Sequence, residues 1–207
     1  VVFFSTDTSN ANRFLALHLG ADAVFNKDMV MLELVEKIRK ILYVKKIFDT
    51  IASDTLINHT LFHSGARYFQ YRLIEELARS SRYKNKFALV IIQIDKIFSI
   101  AKQYSRQSAD TVLKKAAKIF RFNIRAVDLL CKYGQDKFML LLLDANLSTA
   151  NVAVKRIYNV IQKSDFGSSE QPFLLKLSYG ISICGEDGIK DLSSLFLNAL
   201  TNLEKNK

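Results

Sequence analysis

The sequence predicts an α/β (α+β) protein: a central mixed, largely antiparallel sheet flanked by helices, preceded by a smaller strand-helix-strand-helix piece. Three observations carry this expectation. Along most of the 207 residues, stretches of apolar residues at helical spacing alternate with short continuous apolar runs, the pattern of helices alternating with strands. In the middle, Tyr133-Gly134-Gln135-Asp136-Lys137-Phe138 is a tight Gly-containing turn between two apolar strands, a connection that only antiparallel neighbours use. A hydrophobic content of 49% with one Pro and seven Gly describes a chain with a substantial core.

The elements follow in order. Val1-Val2-Phe3-Phe4 reads as a short buried strand, Asn10 to Leu19 as a helix closed by Gly20, and Ala23 to Phe25 as a second strand. Val30 to Val44 is an amphipathic helix with apolar residues at 31, 32, 34, 35, 38, 41 and 42. Few turn formers interrupt residues 44 to 64, so helix and connector are expected up to Ser64-Gly65. The division is therefore 1–46, a connector at 47–64, and a second domain at 65–207. In the second domain the pattern predicts a helix from Ala66 to Tyr83 and a strand from Phe87 to Ile94. A short helix follows from Lys96 to Tyr104, and a longer one from Gln107 to Ile124. Strands at Leu129 to Lys132 and Phe138 to Leu143, a helix from Ser148 to Gln162, a strand from Phe173 to Ile183 and a helix from Asp191 complete it.

Composition excludes several classes. The apolar runs are far shorter than the roughly 20 residues of a membrane-spanning helix, and no signal-peptide pattern opens the chain, so a cytoplasmic protein is expected. Cys131 and Cys184 lack metal-ligand spacing and read as buried free thiols. The formal charge of +10 raises the question of phosphate ligands. The cations are dispersed, however: Lys37, Arg39, Lys40, Lys45 and Lys46 form a solvated helix face. Arg79, Arg82, Lys84 and Lys86 suit a helix C-terminus. DNA or RNA binding is not expected, whereas a nucleotide-phosphate environment remains open.

Arg125 to Phe138 carries the chemistry. Arg125 and Asp128 lie three residues apart, a pair able to grip phosphate and the edge of a guanine, and the Gly134–Phe138 turn follows five residues later. The stretch resembles the GGDEF family of diguanylate cyclases, which make cyclic di-GMP from two GTP and whose active-site hairpin is Gly-Gly-Asp/Glu-Glu-Phe. The resemblance covers about residues 54 to 205 and implies a palm-like sheet. Residues 1–46 in turn resemble the last two βα units, the C-terminal half, of a flavodoxin-like receiver domain of two-component response regulators. Ser5 matches the hydroxyl ending its fourth strand, Gly20-Ala21-Asp22 the turn before the fifth, and Lys27 the lysine after it. Asp28 stands where that family has Pro. The receiver's acceptor aspartate belongs to earlier strands, so this truncated, receiver-like stretch is not itself expected to be phosphorylated.

Joining two GTP requires divalent metal held by carboxylates. The resemblance puts Gln93 at the metal-binding Asp of the first strand and Lys137 at an acidic hairpin position, leaving Asp136 as the remaining metal candidate. Gln135 replaces a Gly beside Gly134. Ala101 and Asp110 align with the guanine-reading Asn and Asp, and Phe98 with a triphosphate-contacting lysine. Thr201-Asn202-Leu203-Glu204 replaces the family's Tyr-x-Ala-Lys, and Arg67-Tyr68-Phe69 is all that remains of its opening motif. The active site thus reads as degenerate, with no catalytic residue assigned and Mg²⁺ relevant only if cyclase activity is retained. Asp95 and Asp110 also suit caps or turns, and Asp136 suits its turn.

The product-binding set reads as more complete. Arg125 and Asp128 occupy the family's Arg-x-x-Asp inhibitory site for cyclic di-GMP. Arg156 aligns with an Arg that can complete that site from a neighbouring domain. The Arg-Asp pair is open to a second reading, an inherited salt bridge. The leading expectation is a cyclic di-GMP sensor or regulator, acting on a protein partner or a dimer mate. The alternatives are an active or residually active diguanylate cyclase of a response regulator, and a ligand-free dimerisation module.

Overall fold

A computed structural model describes residues 2–6, 9, 12, 16, 21, 23–53, 66–167, 174–185, 189 and 191–206. All but Asn12 and Ala16 of the expected helix over Asn10 to Leu19, and most of the 47–64 connector, lie outside the described residues.

The N-terminal piece pairs β1 (Val2–Ser5) with β2 (Ala23–Asn26) in parallel register, Val2 opposite Ala23 and Ser5 opposite Asn26. Lys27 N donates to Ser5 O at 3.2 Å, so the two residues singled out from the receiver resemblance meet at the ends of neighbouring strands. Helix α1 (Met31–Ser53) continues well past Val44. It therefore crosses the expected boundary at residue 46 without a break, because no Gly or Pro interrupts it and Lys37 and Glu33 pair at 2.7 Å along its exposed side.

The larger piece begins with α2 (Ala66–Tyr83) and β3 (Phe87–Ile94), both as expected from the sequence. It continues with α3 (Ile97–Gln103), α4 (Arg106–Phe122), β4 (Leu129–Tyr133), β5 (Lys137–Leu142), α5 (Leu147–Gln162), β6 (Leu177–Cys184) and α6 (Leu192–Lys205). The strands run in the order β4-β5-β3-β6, and every pairing within this sheet among the described residues is antiparallel. The sheet is thus antiparallel where a mixed one was also open. β6 starts at Leu177 rather than at Phe173, since Leu174 to Lys176 precede the ladder with β3.

Both faces of the sheet are covered, which explains why β3 and β5 read as unbroken apolar runs. Ala88, Val90, Ile92 and Ile94 point to one face, against Val112, Ala116 and Phe120 of α4 and Val154, Ile157 and Ile161 of α5. Phe87, Leu89 and Ile91 point to the other, against Phe69 and Leu73 of α2 and Leu195, Phe196 and Leu203 of α6. Local capping sets the helix starts. Ser105 accepts from Ser108 N at 3.0 Å, Asn146 and Thr149 form a reciprocal box, and Asp191 accepts from Ser194 N at 2.9 Å. With Ser105 as the cap of α4, Asp110 lies inside that helix and is not a cap.

Candidate functional site

Two places concentrate the polar groups anticipated from the sequence. The first is the end of β3 beside the β4–β5 turn. Tyr133 pairs with Lys137, so Gly134, Gln135 and Asp136 form a three-residue connection. Gly134 adopts a φ of 66° with open space around it, a conformation that favours glycine. Side chains at both ends anchor the turn from opposite faces: Tyr133 packs edge-on to Phe196 at 5.6 Å and Phe138 edge-on to Phe120 at 5.1 Å.

Register places Gln93 opposite Lys137, and the three polar side chains converge there. Asp136 is buried, at 7% exposure, with both carboxylate oxygens engaged. Gln93 Nε2 donates to Oδ2 at 2.6 Å and Lys137 Nζ to Oδ1 at 3.0 Å. Ile94 N donates to the Asp136 carbonyl at 2.8 Å and fastens the turn to the strand. Gln93 Oε1 is buried without a partner. Flipping the amide would not relieve it, because that would set an oxygen against Asp136 Oδ2. Asp95, two residues on, accepts from Ser178 Oγ at 3.0 Å on both oxygens, so it holds β3 to β6 and is not a helix cap.

These residues do not fit a hard divalent cation. Such an ion takes several oxygen ligands, preferably charged. Here one carboxylate is neutralised by an ammonium 3.0 Å away and the neighbouring strand supplies a neutral amide. Among the described residues no group of three or more His, Cys, Asp or Glu side chains gathers anywhere. The residues expected at the base and triphosphate positions lie on the two helices after β3. Phe98 is 58% exposed on α3, Ala101 is half-buried beside it, and Asp110 lies on α4.

The second place is a shallow hollow between the Arg125–Asp128 turn, the end of β5 and α5. Arg125, Asp128, Leu142, Thr149, Val152 and Arg156 line it. Its cavity of about 70 Å³ is well below the roughly 300–1,000 Å³ of enclosed ligand sites, so a nucleotide would lie across it rather than inside it. Arg125, Asp128 and Arg156 of the one chain all line this hollow. Two details differ from expectation. Asp128 makes no ion pair with the Arg125 guanidinium; it accepts from the backbone N–H groups of Arg125 at 2.9 Å and Leu143 at 3.1 Å. Arg156 donates through Nε at 3.0 Å and Nη2 at 2.5 Å to the carbonyl of Asn123, the C-cap of α4. The donor Leu143 N and the acceptor Asn123 O have no signature in the sequence, since both are backbone groups brought there by tertiary packing.

Both cysteines are free and buried, as anticipated. Burial pushes the Cys131 thiol up to about 12.

The family model described as "Diguanylate cyclase, GGDEF domain" matches residues 64–207. The chain belongs to the GGDEF family. The GGDEF domain here is similar to Diguanylate cyclase DosC of Escherichia coli, 26% identical over 109 residues, which cover 52% of this chain and 24% of DosC. Response regulator PleD of Caulobacter vibrioides is 22% identical over 192 residues, covering 88% of this chain and 42% of PleD. The chain thus spans less than half the length of these relatives. Among solved structures, the GGDEF domain of YfiN from Pseudomonas aeruginosa superposes with a TM-score of 0.63 at 22% identity, covering 68% of this chain and 82% of that one. The GGDEF domain of DgcB from Caulobacter crescentus, solved in complex with c-di-GMP, gives 0.61 at 15% identity, covering 67% and 82%. Both show a shared fold. No helix among the described residues is long and apolar enough to cross a membrane.

Proposed function

We propose that this GGDEF domain serves cyclic di-GMP signalling as a nucleotide-binding regulator without cyclase turnover. The observation that carries the reading is the closed Gln93–Asp136–Lys137 cluster, in which the remaining hairpin carboxylate is bound at both oxygens by groups of its own chain. Lys137 supplies there, covalently, the positive charge that the cyclase reaction takes from a metal. Phe98 supports the same reading, because an aromatic ring replaces the ammonium that would meet a triphosphate.

The binding half rests on Arg125 and Arg156. Two guanidinium groups at one hollow present planar donor forks to phosphate oxygens or a guanine O6/N7 edge. Arg156 is held by Asn123 O, which lowers the ordering cost that a ligand would otherwise meet. The β1–β2 piece and α1 provide the receiver-like part, through which a partner or second copy would sense the bound state.

The test has two arms. Incubation with GTP and Mg²⁺ or Mn²⁺ yields no cyclic di-GMP, and calorimetry with cyclic di-GMP gives a Kd of about 10 μM or tighter that Arg125→Ala weakens by about tenfold or more. Product formation defeats the first half. Absence of binding, or binding indifferent to Arg125→Ala, defeats the second.

A further inference from the structure

α4 and α5 form one outer layer of the protein, and the solvent side of that layer carries charge of a single sign. Lys114 and Lys118 follow one another at four-residue spacing on α4 and lead to Phe122. Lys155, Asn159 and Lys163 do the same along α5 to its C-cap. All six are exposed. The helices run antiparallel, since Lys115 reaches the Asp165 carbonyl while Arg156 reaches that of Asn123. The two rows therefore lie side by side. α5 contains no Asp or Glu, and α4 only Asp110, half-buried near its start.

Cations elsewhere in the fold have partners. Arg72 and Arg79 on α2 pair with Glu75 and Glu76, and Lys37 on α1 with Glu33. Lys114, Lys118, Lys155 and Lys163 make no hydrogen bond or ion pair among the described residues. The helix dipole accounts for Lys163 at the end of α5, but not for the three lysines inside the helices. Beside them Phe122 is 84% exposed. None of these side chains lines the hollow at Arg125, so the face is a second surface, independent of the nucleotide reading.

We propose that this face docks the protein peripherally on an anionic lipid surface, with the four lysines over the headgroups and Phe122 entering their boundary with the acyl chains. Ammonium groups are compact point charges that need no fixed partner geometry, which suits laterally mobile headgroups. A ring that stands in water on the free protein gains an apolar environment at that boundary. Nucleic acid fits less well. The two helices pack side by side, so neither protrudes into a groove, and a lone phenyl ring is not a stacking platform for successive bases.

The experiment is co-sedimentation of the whole chain with phosphatidylcholine vesicles, with and without phosphatidylglycerol. Binding is expected to the anionic vesicles alone and to disappear at about 0.5 M salt, where surface charges are screened. Lys118→Ala and Lys155→Ala should each weaken it about fivefold. Phe122→Ser should weaken it by a similar factor or more, about fivefold, without changing the salt dependence. Arg82→Ala, which removes an exposed cation from α2 on the opposite face of the sheet, should leave it within about twofold. Absence of binding to anionic vesicles overturns the proposal. Equal losses in Arg82→Ala and Lys118→Ala also overturn it, because net charge rather than this face would then be responsible. A single-stranded RNA oligonucleotide bound more tightly than the vesicles, and lost in the same lysine variants, would make the face a nucleic-acid surface and overturn it as well.

Discussion

Replacing Asp136 by Ala tests whether the hairpin has become a self-contained ion-pair cluster. The carboxylate is buried and receives one hydrogen bond from a neutral amide at 2.6 Å and one from an ammonium at 3.0 Å. Its removal leaves Gln93 without a partner on Nε2, in addition to the buried Oε1 that already lacks one. An orphaned buried polar group costs about 1–3 kcal/mol. Lys137 has a different fate. With a quarter of its side chain exposed it swings into water, so its contribution is that of a partly screened pair, about 1 kcal/mol. The expected loss for Asp136→Ala is therefore about 2–4 kcal/mol. Lys137→Ala costs about 1 kcal/mol, and the double variant should reveal a coupling of similar size. The chain has no Trp, so urea unfolding followed by far-ultraviolet circular dichroism is the suitable assay. A loss below about 0.5 kcal/mol for Asp136→Ala, or strictly additive single variants, would show that the carboxylate is solvated and open to other ligands.

Two further outcomes follow from the packing. Gly180 on β6 lies directly under α6, where an added Cβ would overlap the Ala199 carbonyl oxygen and Leu203 N and stand 2.9 Å from Leu203 Cα. Backbone cannot rotate aside, so Gly180→Ala should cost about 3 kcal/mol or more in the same urea assay, and a neutral result would place α6 further from the sheet. Cys131, raised by burial from its ordinary 9.0 to about 12, stays protonated in the folded chain at pH values where the unfolded thiol ionises. Unfolding then releases a proton, so this thiol's contribution is intact below 9.0 and is lost as pH rises toward 12. Cys131→Ala should accordingly flatten the alkaline fall in stability relative to wild type; parallel curves would contradict the burial.

The elements of the larger piece were legible because their local signals agree. β3 is bounded by exposed polar residues at 84 to 86 and by Asp95. α2 repeats its apolar residues at helical spacing, and Gly134 marks the one tight turn between strands. The places where sequence and structure part have particular causes. The helix ending at Val44 in the sequence pattern runs on to Ser53, because no Gly or Pro interrupts it. The start of β6 was misplaced because Leu174 and Leu175 continue an apolar pattern that carries no information about where the ladder with β3 begins.

The sequence by itself determined which residue types stand in the Arg125–Phe138 stretch and, through the family resemblance, which positions they were expected to align with. It determined equally that Gln93 is neutral and Lys137 cationic, so neither is a carboxylate. Tertiary structure alone decided how these groups are partnered. Gln93 and Asp136 are 43 residues apart, and the antiparallel β3–β5 register makes them neighbours. Asp128 lies three residues from Arg125 in sequence, and only the fold brings Leu143 N to its carboxylate. The physical reason is the same in both cases: a polar side chain's role depends on which groups compete for its lone pairs and protons, and the fold brings one of these, Gln93 for Asp136 and Leu143 N for Asp128, from far along the chain.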